Sequence, residues 1–482
     1  MRKKTLFLIK RFIFILVGVM ICVMIGLFYW LQSSGELQPW HTYVPNELRE
    51  KDIDRADWDD YFNAENTLFM EVHKHVVMKQ ADHDTTSLNR YNSLSPVYPD
   101  NLPTDCNRSY IMRTKTEPRG AVVLLHGLTD SPYSLQHIAR LYQQAGFVAI
   151  GIRLPAHGTV PGALTDVKWQ DWLAATRLAV REATKMTNAG TPLHIVGFSN
   201  GGALAMKYAL DALDDSSLRK PQQIVLISPM IGVSRFARFS GMAEWTAFLP
   251  AFSRAALLGL VPEFNPFKYN SFPVNGARQA YLLTESLKRE LNRRNSSSRW
   301  KEFPHVLTFQ SVLDSTVSTR AVLDVLHQNL PDNGSELVLF DINRAVNFRA
   351  LFRHSSDRAL SHLLATPERT FTTTIVKNAS SESMKMVAST HLAHTTTADV
   401  QPLNLLYPRD VFSLSHVALP FPVHDSLYGS EPYEPNRYGL SLGILRVRGE
   451  RAVLLADMDS LMRITSNPFF PYLMDRIAGV IK

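Results

Sequence analysis

The chain has 482 residues, 45% of them hydrophobic and 20% charged, enough to bury a large core or more than one. Its net charge of +7 comes without a run of Lys and Arg interleaved with aromatics, which argues against a nucleic-acid partner. Only two cysteines are present, Cys22 in an apolar run and Cys106 alone, so no disulfide within the chain is expected and the fold must rest on its core.

In chain order the first element is residues 12–31, which carry no charge. At about 1.5 Å per residue such a segment is long enough to cross a bilayer as a helix. Arg2, Lys3, Lys4, Lys10 and Arg11 precede it, and Tyr29 and Trp30 close it like an interfacial anchor. The pattern predicts a single-pass membrane protein with residues 1–35 as cytoplasmic tip and anchor. Everything after them is expected on the exported side, the periplasmic face of the inner membrane if the cell is Gram-negative. The rival reading is a cleaved signal peptide, whose apolar core is normally shorter, about 7–15 residues, and ends at a small-residue cleavage site.

Residues 36–115 read as an extension holding one convincing helix, "WDDYFNAENTLFMEVHKHVVM", with Trp58, Phe62, Phe69, Val72 and Val76 as its apolar face. His73 and His75 then fall on a solvated helix surface. No Cys and His spacing suits a metal, and neither metal nor cofactor is implied.

From residue 116 a regular alternation begins: "GAVVLLHG" as strand, "SLQHIARLYQQAG" as helix, "FVAIGI" as strand, "WQDWLAATRLAVREATK" as helix. The strand "PLHIVG", the helix "GGALAMKYALDAL" and the strand "PQQIVLISP" follow. Strands apolar throughout, alternating with helices, predict an α/β fold with a mostly parallel sheet covered on both faces.

Within this frame "GFSNG" sets Ser199 on a strand-to-helix turn. The G-x-S-x-G pattern is weak alone and strong in this context, because the turn crowds strand against helix and leaves room only for glycine at Gly197, Gly201 and Gly202. Ser199 is therefore the candidate nucleophile. A serine at its normal pKa is a poor nucleophile and needs partners. The stretch "LLHGLTDSPYSL" ends a strand at His126-Gly127, so the backbone N–H of Leu128 and that of Asn200 are candidate oxyanion donors. His126 is expected to brace that loop rather than to exchange protons.

The segment "FPHVLTFQSVLDSTVSTRAVLDVLH" reads as strand, loop, helix and places Asp314 just past the strand end, on the same sheet edge as Ser199. Asp314 is the candidate acid, with a helix-capping role as its bland alternative (Ser315 and Ser318 would serve that purpose), and Asp341 is the understudy. For the base, chain order leaves His354, His362, His391, His394, His416 and His424. His416 is favoured because it ends the short strand-like run "VFSLS"; His391 and His394 lie in a Thr-rich excursion, and His424 follows closely.

The motifs "HGLTDSPYSL", "RLPAHGTVPG", "GFSNGG" and "VLDSTVS" resemble the α/β-hydrolase superfamily, and within it the bacterial carboxylesterase, monoacylglycerol-lipase and serine-aminopeptidase-like group. The resemblance implies an α/β-hydrolase domain over 116–482 with a helical cap at about 229–303, and a triad of Ser199, Asp314 and His416. That group usually has a few tens of residues between acid and base. Here about a hundred intervene, so an insertion at about 342–408 is expected to loop out. The cap segment is dense in Phe, Trp and Leu. Its Trp245, Phe248 and Phe252 either roof an acyl pocket or bury their own faces against the core.

The implied activity is hydrolysis of an ester, lipid-like or apolar in its acyl part, by a serine hydrolase held at a membrane. A serine peptidase, a thioesterase and an acyltransferase use the same machinery. A reading of another class is a hydrolase fold retained as a membrane-tethered binding protein.

Overall fold

The computed structural model describes residues 18, 37–79, 88–232, 257, 260–294, 298–314, 316–345, 369–409, 411–444 and 465–481. Apart from Gly18, the segment 12–31 lies outside them. No helix among the described residues is long and apolar enough to cross a membrane.

The first elements belong to the extension. After a short helical turn at Pro39–Thr42 come helix α1 (Glu50–Arg55) and helix α2 (Trp58–His75), and α2 is opened by Asp57, whose side chain accepts from the Asp60 N–H. The expected helix is present and buries Trp58, Val72 and Val76 of its expected apolar face, but the inward face is rotated toward Tyr61, Glu65 and Leu68. Trp58, Tyr61, Glu65, Leu68 and Val72 are buried, whereas Phe62 is exposed. The rotation places the Glu65 carboxylate inside, where Arg153 and Ser109 receive it. His75 stacks on Tyr43, and His73 bonds the Tyr98 hydroxyl, so both rings have protein partners. The extension also supplies strand β1 (Tyr110–Met112), which pairs antiparallel with the sheet.

The predicted alternation then unfolds in order: β2 (Gly120–Leu125), helix α3 (Gln136–Gln144), β3 (Phe147–Ile152), helix α4 (Trp169–Lys185), β4 (Leu193–Phe198), helix α5 (Asn200–Asp214) and β5 (Gln223–Ile227). Helix α6 (Val274–Arg294), β6 (His305–Ser311) and β7 (Glu336–Phe340) follow, then β8 (Thr372–Asn378), β9 (Lys385–His391), β10 (Asp399–Leu406) and helix α7 (Phe470–Val480). The strands form one sheet in the order β1-β3-β2-β4-β5-β6-β7-β8-β9-β10. Pairing is parallel from β3 through β8 and antiparallel at both edges. Strands β2 to β5 are buried at every position, as a sheet with helices on both faces requires.

Here the insertion expected to loop out at 342–408 is corrected. Its second half extends the sheet: the apolar and β-branched "TFTTTIV" pattern around β8 continues the parallel order, and β9 and β10 complete an antiparallel edge. His391 therefore ends β9, where Thr373 lies opposite it.

Successive side chains of each strand feed opposite layers. Val123, Leu125, Ile150 and Ile195 pack with Trp172, Leu204, Leu283, Leu287 and Leu291 under helices α4, α5 and α6. Val122, Leu124, Val196 and Val225 pack with Ile138, Tyr142, Leu473 and Ile477 under α3 and α7. Part of the segment expected to be a cap, α6, is thus a core helix on the first face.

Candidate active site

Strand β4 ends and α5 begins at Ser199, whose backbone has φ 54° and ψ −115°. For a residue with a Cβ this conformation costs on the order of 1–3 kcal/mol, and it persists only where its surroundings enforce it. The enforcement is visible. Ser199 N–H donates to Ile227 O at 3.0 Å, and Ser199 O accepts from Met230 N at 2.9 Å. A Cβ on Gly197 would stand 2.4 Å from Gly201 O, one on Gly201 only 1.9 Å from Leu125 O, and one on Gly202 2.7 Å from Pro229 Cβ. All three glycines answer to close approach, as the sequence pattern predicts.

Beside Ser199 runs the turn that leaves β2. A Cβ on Gly127 would touch Ser199 Cβ and the Phe198 ring at 3.3 Å, so this turn passes directly against the serine. Thr129 is held at φ 63°. His126 braces the turn: its Nε2 accepts from Leu154 N at 3.0 Å, leaving Nδ1–H to donate to Gly127 O at 2.9 Å. Burial, then the neighbouring His157, pushes the His126 pKa well below its ordinary value, so the ring stays neutral in this role. Leu128 N–H and Asn200 N–H have no protein acceptor among the described residues. The latter opens helix α5, where the first N–H groups have no intrahelical partner.

Asp314 lies three residues past the end of β6. Its Oδ1 accepts from Thr316 N at 2.8 Å and Val317 N at 3.0 Å, and its Oδ2 meets His416 Nδ1 at 2.9 Å. Ser318 caps the short helix that follows, so Asp314 is not spent on capping. Burial pushes the Asp314 carboxyl up, but the hydrogen bond and charge of His416 and the two backbone donors outweigh it. The carboxyl is held below its ordinary value and remains ionised at neutral pH.

His416 sits at the start of a 3-10 turn, His416–Ala418, rather than at the end of a strand. Its ring stacks on Phe198, the residue before Ser199, with centroids 5.3 Å apart. The stacking sets the His416 ring beside the residue that precedes Ser199, without a hydrogen bond between His416 and Ser199. His424 points elsewhere: Nδ1–H donates to Glu431 O at 2.8 Å and the ring stacks on Tyr433. His391 and His394 stand at the far edge of the sheet, His394 against Asp332. His354 and His362 lie outside the described residues, as do Trp245, Phe248 and Phe252. Asp341 is paired with Arg344.

Two supporting residues are not evident from motif reading. Gln310 Nε2 donates to Asp314 Oδ2 at 3.1 Å, beside the His416 bond. Ser311 Oγ donates to Leu414 O at 3.0 Å and so holds the chain two residues before His416. Their signal in the sequence is the polar Gln310-Ser311 pair at the end of the strand that leads to Asp314, and the structure buries both.

Residues 116–294 match a family model described as serine aminopeptidase, S33. Over 88 residues the chain is 28% identical to a thermostable monoacylglycerol lipase of Bacillus sp. (strain H-257). That stretch is 18% of this chain and 34% of the lipase, so the chain spans about a third of the length of this relative. Similar solved structures include one of two metagenome-derived lipolytic enzymes, at 22% identity, 55% of this chain, 99% of that one and a TM-score of 0.40. A monoacylglycerol lipase of Paleococcus ferrophilus is another, at 17% identity, 48% of this chain, 88% of that one and a TM-score of 0.37.

Proposed function

We propose that this chain, a member of the α/β-hydrolase superfamily, is a serine hydrolase that cleaves an ester with an apolar acyl chain through an acyl-serine intermediate. The observation that carries the reading is the strained Ser199 turn set beside the buried Asp314–His416 pair. In this mechanism His416 Nε2 takes the Ser199 proton as Oγ attacks the acyl carbon. Asp314 holds Nδ1–H and stabilises the imidazolium that forms. Leu128 and Asn200 N–H groups receive the developing oxyanion, each at about 3 kcal/mol. His416 then gives the proton to the leaving alcohol; in the second half it takes a proton from the water that attacks the acyl carbon and passes it to Ser199 Oγ as the acid leaves.

A fluorophosphonate probe tests the reading directly. Label is expected on Ser199 in the intact protein and none in Ser199→Ala. Absence of label from a folded protein would favour the binding-protein reading.

The lipid-like acyl group is supported by the name of the Bacillus relative and by the aromatic and aliphatic density of residues 229–270. If Trp245, Phe248 and Phe252 line an acyl site, trimming each should shift the preference between short and long acyl chains by about 1–3 kcal/mol. Equal losses on all lengths would assign them a structural role. The family description favours a second reading, an aminopeptidase, which predicts turnover of aminoacyl anilides above that of acyl esters.

Residues 12–31 are proposed as an uncleaved anchor that places this site on the exported side. Their uncharged length and the five preceding basic residues support it. Removing residues 1–35 should release the protein from membranes with turnover of a soluble ester largely intact. A reporter active only in the exported compartment, fused after Lys482, should be active; silence there would reverse the orientation.

A further inference from the structure

Nine residues after His416 stands a buried carboxylate, Asp425, which is 1% exposed. Both of its oxygens lie 2.9 Å from the Tyr133 hydroxyl, and Oδ2 lies 2.8 Å from His137 Nε2. Oδ1 also accepts from Leu427 N at 3.0 Å and Tyr428 N at 2.7 Å. Tyr133 belongs to the turn Pro132–Leu135 that continues the Gly127-Leu128 loop, and His137 to helix α3. One carboxylate thus joins the segment carrying His416 to the segment carrying Leu128.

The surroundings hold this junction stiff. The Tyr133 ring stacks on Phe267 at 4.4 Å, meets Tyr438 edge-on at 5.4 Å, and lies against Phe421 and Tyr428. Between His416 and Asp425 the chain is pinned again, by Asn467 N donating to Phe421 O at 2.8 Å. Apolar packing alone would fill such a cluster, and burying a carboxylate costs free energy unless its acceptors are satisfied. What the charge adds is direction, since side-chain and backbone donors from three segments converge on two oxygens.

We infer that Asp425 is a positioning residue that sets the His416 turn and the Leu128 turn at their working separation. The inference rests on the serine-hydrolase reading of Ser199. Positioning errors of about 1 Å can cost as much as 100-fold in rate, so a loss of about tenfold or more is expected when the junction is cut.

The test compares Asp425→Asn with the milder Tyr133→Phe, which removes one hydroxyl and keeps the ring. Turnover of a soluble nitrophenyl ester is divided by the concentration of sites titrated with fluorophosphonate. Hydrogen exchange is followed in parallel at 127–137 and 414–421. The expected result is a fall in kcat per titrated site of about tenfold or more in Asp425→Asn, with KM within about twofold. Faster exchange should appear on both segments together, with a smaller change of the same kind in Tyr133→Phe. The double variant should be little worse than Asp425→Asn, because the two act through one contact. Unchanged kcat per titrated site in both variants would overturn the inference and leave Asp425 a packing residue, as would faster exchange confined to 414–421. Failure of the hydrolase reading looks different: the unsubstituted protein would take no label on Ser199, and the positioning role would fall with it.

Discussion

Ser199→Ala is expected to abolish ester turnover almost completely, by about 10⁶-fold as in the best-studied hydrolase of this type. His416→Ala should fall nearly as far, and the double variant scarcely further, because the proposed nucleophile and base would act as one unit. Asp314→Asn keeps the shape of the acid but loses the charge that orients Nδ1–H, and should cost less, about 10⁴-fold. His424→Ala should retain most activity, since that ring is occupied with Glu431 O and Tyr433. The measurement is kcat/KM on a soluble ester, with circular dichroism to confirm a folded chain. A dead His424→Ala beside an active His416→Ala would reassign the base.

Arg153→Met should destabilise the protein by about 3–5 kcal/mol, the usual consequence of stripping the partner from a buried charge. Arg153 lies just past the end of β3, with its side chain 1% exposed. Its Nη1 and Nη2 grip Glu47 at 2.9 and 3.1 Å, and its Nε meets Glu65 at 3.2 Å. Both carboxylates come from the extension, so this cluster ties the extension to the sheet. Burial raises the Glu65 carboxyl above its ordinary value even with Arg153 beside it, and removing the arginine takes away the largest opposing influence, leaving only the Ser109 hydrogen bonds and Arg108 against that push. A raised folded-state pKa means that the folded chain holds the proton better than the unfolded chain. Its contribution is present below the unfolded value and lost as pH rises through the folded one. The Arg153→Met deficit, measured by urea unfolding, should therefore shrink as pH is lowered from 7 toward the carboxylate range. A deficit independent of pH would show that lost packing, not orphaned charge, sets the cost.

The residues that the sequence alone makes legible are those whose conformation depends on their neighbours in the chain. The apolar runs of β2 to β5 announce buried parallel strands, because a strand covered on both faces has no polar side to show. Gly197, Gly201 and Gly202 announce the Ser199 turn, because a side chain at any of them would collide within a few residues or with the next strand. Asp314 follows from its place after β6, where a parallel sheet brings loops to the Ser199 edge.

Other features are decided by partners far away in the chain. Phe62 and Glu65 exchange places relative to the apolar pattern of α2 because Arg153 waits inside. Residues 372–406 look like an excursion in isolation, yet they become sheet because β7 presents a free edge. Among six histidines, His416 meets Asp314 across a separation of 102 positions, and Asp425 meets Tyr133 across 292. Loop closure costs only about 0.6 kcal/mol more for each doubling of length, so distance along the chain hardly constrains such pairs. Local pattern thus determined the strands, the turn and the candidate nucleophile; the histidine that meets Asp314, the inward face of α2 and the sheet edge were chosen by packing, which local periodicity does not encode.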